Sequence, residues 1–110
     1  MQATDQDGWT ALHYGACDTN NPGMIYAIVE APHGLDVLNA RDDYGFTPLL
    51  IAAEFNRPRS IEALISFETI NVKIKTRNEK TALEWATEGG NEDCVRLLND
   101  YNKRLTVATK

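Results

Sequence analysis

One short phrase, spelled three times, limits what this chain can fold into: Thr10-Ala11-Leu12-His13, Thr47-Pro48-Leu49-Leu50 and Thr81-Ala82-Leu83-Glu84. The three threonines stand 37 and then 34 residues apart. A sequence period of about 20–50 residues signals stacked supersecondary units, none of which can bury its apolar side alone. The spacing therefore predicts a one-dimensional array of helical repeats, a class that works by surface contact.

Each phrase reads as a helix start. Threonine offers an N-cap hydroxyl to an orphan backbone N–H, and Pro48 falls at the first helical position, where its missing N–H does no harm. Thr81 and Glu84 form a capping box; His13 takes the same position in the first copy and can bridge backbone groups, whereas Leu50 cannot. Small residues follow in every copy: Gly15-Ala16, Ala52-Ala53 and Ala86-Thr87. They suit close approach between helices of adjacent units.

A second helix is predicted in each unit. One opens at Asn21-Pro22 with Ile25, Ile28 and Val29; another opens at Pro58 with Ile61, Leu64 and Ile65. The third runs from about Asn91 through Cys94, Val95, Leu97, Leu98, Tyr101 and Leu105. Spacings of three and four place these on one apolar stripe per helix. Aligning the stripes puts the extra length of the first unit in loops, one residue in 17–23 and two in 30–37.

A turn precedes each threonine. Asp5-Gln6-Asp7-Gly8 and Asp42-Asp43-Tyr44-Gly45 share an Asp that can bond the turn backbone and a Gly suited to positive φ. Thr76-Arg77-Asn78-Glu79 has lost both, so Asn78 is expected to take the left-handed conformation and the third turn to be looser.

These copies, above all Asn39-x-x-Asp42-x-x-Gly45-x-Thr47-Pro48-Leu49-x-x-Ala52-Ala53, resemble the ankyrin repeat over about residues 4–101. The resemblance implies an all-α solenoid of three helix-turn-helix repeats, at about 3–37, 38–71 and 72–105, with projecting β-turn or hairpin fingers and a frayed tail at 106–110. It also implies a concave face of finger tips and first helices that binds a protein partner. Carried over, the contact set is Asp7 and Trp9 with Thr4, Gln6, Cys17 and Asp18 in the first unit. Arg41, Asp43, Tyr44, Phe46 and Phe55 with Glu54 follow in the second, and Lys75, Arg77 and Lys80 with Asn78 and Glu88 in the third. Trp9 and Phe46 could instead pack between fingers, Tyr44 and Phe55 into the core or between repeats, and Trp85 into the core. Asn39 occupies a position hydroxylated in some members of the family.

The charge is consistent with a protein partner. The net charge of −5 divides unevenly, with eight acids and one base in residues 1–55 but eight acids and ten bases in 56–110. Overall acidity argues against nucleic acid, which demands clustered cations. No apolar run reaches the ~20 residues that span a bilayer, and the first residues lack signal-peptide character. Cys17 and Cys94 stand apart and read as reduced thiols of an intracellular protein, cytoplasmic or nuclear.

Chemistry finds no motif. His13 and Cys17 lie four apart on one helix, without an orienting third group. The two histidines and two cysteines have no metal-ligand spacing, and no glycine-rich phosphate loop exists, so neither cofactor nor metal is expected. A non-catalytic interaction module, monomeric or part of a longer chain, is the expected function. The alternative is a regulatory or tethering segment of a larger protein that packs on its own neighbouring domain. The last helix carries Asp93, Arg96, Asn99, Asp100, Lys103 and Arg104, as an end cap should, whereas the first unit begins abruptly with a finger.

Overall fold

The computed structural model describes residues 8–18 and 22–108, with side chains as far as Arg104. Six α-helices follow one another in three pairs: α1 (Ala11–Cys17) with α2 (Pro22–Glu30), α3 (Pro48–Glu54) with α4 (Pro58–Leu64), and α5 (Ala82–Glu88) with α6 (Glu92–Ala108). No strand occurs among the described residues; the fingers between pairs are turns. The fold is all-α, and helix α6 extends through Ala108 into the segment expected to fray.

The phrase threonines cap their helices. Thr10, Thr47 and Thr81 sit in extended backbone, each with its hydroxyl accepting from the amide three residues on. The capping box closes at both Glu84 and His13, and Leu50 contributes only its amide. Each first helix is only seven residues long, too short to persist alone in water. Packing must hold it.

That packing forms two rows. Helices α1, α3 and α5 stack as one row, α2, α4 and α6 as a second, and each pair closes across the rows. The core between them is continuous, from Leu12 and Ile25 through Leu49, Leu50, Ile61 and Leu64 to Ala86, Cys94 and Leu98. Ala16, Ala52, Ala53 and Ala86 are fully or almost fully buried, as close helix approach requires.

The turn inside each later pair repeats one device. Asn56 (φ 58°) and Gly90 (φ 69°) take the left-handed conformation one repeat apart. The next amide then returns to the helix, Arg57 N to Ala52 O at 2.8 Å and Asn91 N to Ala86 O at 2.9 Å. The side chains of the same two residues reach back into the preceding repeat. Arg57 Nε donates to the Cys17 carbonyl at 2.8 Å, and Asn91 Nδ2 to the Ala53 carbonyl at 2.9 Å.

Part of the extra length of the first repeat is ordered as a short 3-10 turn, Gly34–Val37, entered through left-handed His33. Gly34 is buried where its backbone lies against the end of α2: a β-carbon there would come 2.1 Å from the Ile28 carbonyl oxygen. Residues 19–21, within the other expected insertion, lie outside the described residues.

Candidate functional site

The fingers are braced from one repeat to the next. In the second, the turn closes through Asp42 N to Phe46 O at 2.8 Å and Gly45 N to Asp42 O at 3.0 Å, with Gly45 at φ 85°. The Asp42 side chain is buried, and both of its oxygens accept hydrogen bonds. Its Oδ1 accepts from the Tyr44 and Phe46 amides, each at 2.8 Å, and its Oδ2 from the Trp9 indole at 2.9 Å.

The third finger corrects two expectations. It is closed by the same pair of bonds, Thr76 N to Lys80 O at 3.0 Å and Glu79 N to Thr76 O at 2.8 Å, so the loss of Asp and Gly does not open it. The left-handed residue is Glu79 (φ 62°) and not Asn78. Register decides this, because Glu79 stands where Gly45 stands in the second finger. Asn78 instead accepts a short hydrogen bond from the Thr76 hydroxyl through its side-chain oxygen.

Straps brace the stack at three levels, the first joining the two ends of the second repeat and the other two crossing between repeats. At the finger base, Asn39 Nδ2 donates to the Thr69 carbonyl and Asn39 Oδ1 accepts from the Asn71 amide, both at 2.8 Å. Higher up, Arg41 donates from Nη2 to the Lys75 carbonyl at 2.7 Å and from Nε to Gly45 O at 3.4 Å. Between the first two repeats, His13 is wholly buried. Its Nδ1 accepts from the Thr10 amide at 3.0 Å, which leaves the proton on Nε2 to donate to the Phe46 carbonyl at 2.8 Å.

The candidate residues thus separate by role. Trp9 and Phe46 are half-buried and pack between repeats: Trp9 holds Asp42 and meets Tyr14 edge-on at 4.9 Å, and Phe46 lies 5.3 Å from Trp85. Lys80 folds back onto its own repeat, 2.6 Å from Glu88 and 5.2 Å from the Trp85 ring centre. Tyr44 is 60% exposed and Phe55 42% exposed. Asp43, Lys75 and Arg77 are also exposed, the last two on the third finger. Asp7 lies outside the described residues, as do Thr4 and Gln6.

Tyr14 was not among the candidates, yet it is 50% exposed beside Trp9. One residue past the phrase, it matches the buried Ile51 of the second repeat. Two carboxylates on this side have shifted acidities. Partial desolvation, then the nearby Asp42 charge, raise Glu54 above the ordinary carboxylate value. Glu84 is lowered because the Thr81 amide and hydroxyl donate to it in the capping box. Burial raises the Cys94 thiol, with the Asp93 charge adding to it. Among the described residues, no group of three or more His, Cys, Asp or Glu is placed to hold a metal ion, and no helix is long and apolar enough to cross a membrane.

Comparison with known proteins agrees with this geometry. A sequence model described as ankyrin repeats, in three copies, matches residues 16–108. An ankyrin repeat-containing protein of Schizosaccharomyces pombe is 33% identical over 108 residues, which is 96% of this chain and 44% of that protein. The human transient receptor potential cation channel subfamily A member 1 is 32% identical over 92 residues, 82% of this chain and 8% of the channel. An alpha-latrotoxin of Latrodectus tredecimguttatus is 24% identical over 102 residues, 93% of this chain and 7% of the toxin. The chain therefore spans less than half the length of these relatives.

Proposed function

The chain belongs to the ankyrin-repeat family, whose members are generally protein–protein interaction modules, and we propose that it binds a protein partner without catalysis through its finger and first-helix face. One observation carries the reading: Tyr44 and Phe55 are held exposed on fingers and helices that are strapped to their neighbours. Aromatic side chains on a rigid support lose little freedom on binding and are frequent binding hot spots.

Asp43, Lys75 and Arg77 add exposed charge of both signs on the second and third fingers and set which partner is accepted. Arg41, Trp9 and Phe46 act one step back, by fixing the spacing of the fingers, while Lys80 is held against Glu88 and the Trp85 ring of its own repeat. His13 fits no catalytic role, since both its ring nitrogens are occupied in the repeat scaffold. The free thiols of Cys17 and Cys94 support an intracellular setting.

Site-specific photocrosslinking tests the assignment. A crosslinker at position 44, 55 or 77 should capture one common protein, whereas one at 62 or 96, on the second-helix row, should not. Tyr44→Ala with Phe55→Ala should abolish capture from position 77 while circular dichroism stays unchanged. Capture from the second-helix row alone would refute the face.

The short span of the chain within its relatives favours one further reading, that the bound surface belongs to the same polypeptide. Capture within one longer chain, with no added protein mass, would distinguish it.

A further inference from the structure

The second and third fingers share an edge of one charge sign. Burial alternates along the chain entering the third finger: Ile74 is half-buried and Thr76 buried, whereas Lys73, Lys75 and Arg77 are exposed. In extended backbone, residues two apart point to the same side at a spacing of about 7 Å, so Lys75 and Arg77 form a row. Arg41 joins this row from the second finger. Its Nη2 donates to the Lys75 carbonyl at 2.7 Å. It meets the Arg77 side chain over Gly45, where a β-carbon would lie 3.1 Å from Arg41 Nη2 and 3.5 Å from Arg77 Cγ.

Among the described residues, no carboxylate answers this charge. The ion pairs there join His33 to Asp36, Lys80 to Glu88 and Arg96 to Asp93, and none reaches Arg41, Lys73, Lys75 or Arg77. Both Arg41 hydrogen bonds end on backbone carbonyls, which carry no net charge. Glu84 feels the Lys75 charge, but the Thr81 amide and hydroxyl already hold its carboxylate. Glu79 shares the third finger without forming an ion pair. Asp43 lies against the first finger, since a β-carbon at Gly8 would come 2.7 Å from its Oδ1. Cations fixed side by side without a counter-charge repel one another and favour an anionic ligand.

We infer, resting on the binding face proposed above, that its third-finger edge receives a protein segment with Asp or Glu at alternate positions, next to an apolar residue seated on Tyr44. An extended segment repeats every two residues, as the Lys75–Arg77 row does, so its carboxylates fall opposite the cations. The arginine forks can then bond them in pairs. Tyr44, 60% exposed, directly precedes the Gly45 over which the two arginines meet, so the aromatic anchor adjoins the charge. Nucleic acid fits less well, because it carries a phosphate at every step and the net charge of −5 repels it beyond these few cations.

Peptide titration followed by amide chemical shifts tests this. The probe is a blocked heptapeptide with glutamate at its first, third and fifth positions, serine between and after them, and leucine at its end. It should shift amides at 44–45 and 75–78. At about 0.05 M salt it should bind about tenfold more tightly than the same peptide with glutamine for glutamate, and at about 0.5 M salt no more than about threefold. Lys75→Gln with Arg77→Gln should erase that advantage while circular dichroism stays unchanged. Lys75→Arg with Arg77→Lys should keep it within about twofold, because the charge remains. Equal binding of both peptides at the fingers would leave the face in place and overturn its acidic partner. Shifts confined to the second-helix row would overturn the face and the acidic partner together. Tighter binding of a short oligothymidylate at the same amides would assign the edge to nucleic acid and overturn the proposal. So would the absence of any shift at about 5 mM peptide, well above the millimolar limit of weak specific binding.

Discussion

Replacing Glu79 with glycine should stabilise the protein, although it removes a charged side chain and adds none. Glu79 holds φ 62° at a turn position filled by Gly8 at 79° and Gly45 at 85° in the other fingers. A β-carbon in the left-handed region costs about 1–2 kcal/mol, from its approach to the following carbonyl oxygen. Glycine removes that cost but gives back about 0.5–1 kcal/mol in unfolded-chain entropy. The net gain is about 0.5–1 kcal/mol. With an unfolding entropy of ~2.1 cal/mol/K per residue, a chain of 110 residues shifts by about 4 °C per kcal/mol, so the midpoint should rise by about 2–4 °C. Thermal unfolding followed by circular dichroism, supported by urea titration, measures this. Glu79→Ala keeps the β-carbon and should give no gain. Asn78→Gly should lower the midpoint, because it loosens an ordinary backbone position and removes the acceptor for the Thr76 hydroxyl. Equal gains from Glu79→Ala, or a gain from Asn78→Gly, would refute the strain argument.

Three other substitutions probe separate features. Gly34→Ala should destabilise by more than about 3 kcal/mol in urea titration, because the new β-carbon would meet backbone oxygens of Ile28 and Val29 at 2.1 and 2.3 Å; a loss below about 1 kcal/mol would contradict this packing. Asp42→Ala should cost about 3 kcal/mol or more by the same measurement, leaving two turn amides and the Trp9 indole without their acceptor, with Asp42→Asn between the two. Glu54→Gln should stabilise at neutral pH. The folded state raises the Glu54 pKa, so it binds the proton more tightly than the unfolded chain and loses stability as pH rises through that raised value. The gain should accordingly fade as pH drops below the ordinary carboxylate value of 4.5, and a gain that grows in acid would show the sign to be wrong.

Much of the architecture was legible because it depends on local rules applied three times. A threonine before an apolar phrase is an N-cap wherever it occurs, and Thr10, Thr47 and Thr81 all cap. The turn at Asp42 was likewise readable, since its bonds reach only two and four residues along. Asn78 misled because asparagine is the usual left-handed substitute for glycine. Propensity at one residue yielded to register, which the neighbouring finger and helix impose on Glu79. Site residues were harder to read, because exposure belongs to the packed array and not to the residue. Trp9 and Tyr44 look alike as finger aromatics, yet Trp9 is turned inward by an acceptor 33 residues away, while Tyr44 remains outside.

The sequence by itself determined the number of units, their helical character, the helix starts and the positions that must be apolar. All of these follow from periodicity and from bonds within a few residues. Tertiary structure alone decided which aromatics brace and which project, that Arg57, Asn91 and His13 tie one repeat to the next, and that the same repeat position is buried at Ile51 but half-exposed at Tyr14. The physical reason is that a repeat's faces are chemically defined by its own residues, but their burial is defined by the neighbour stacked against them.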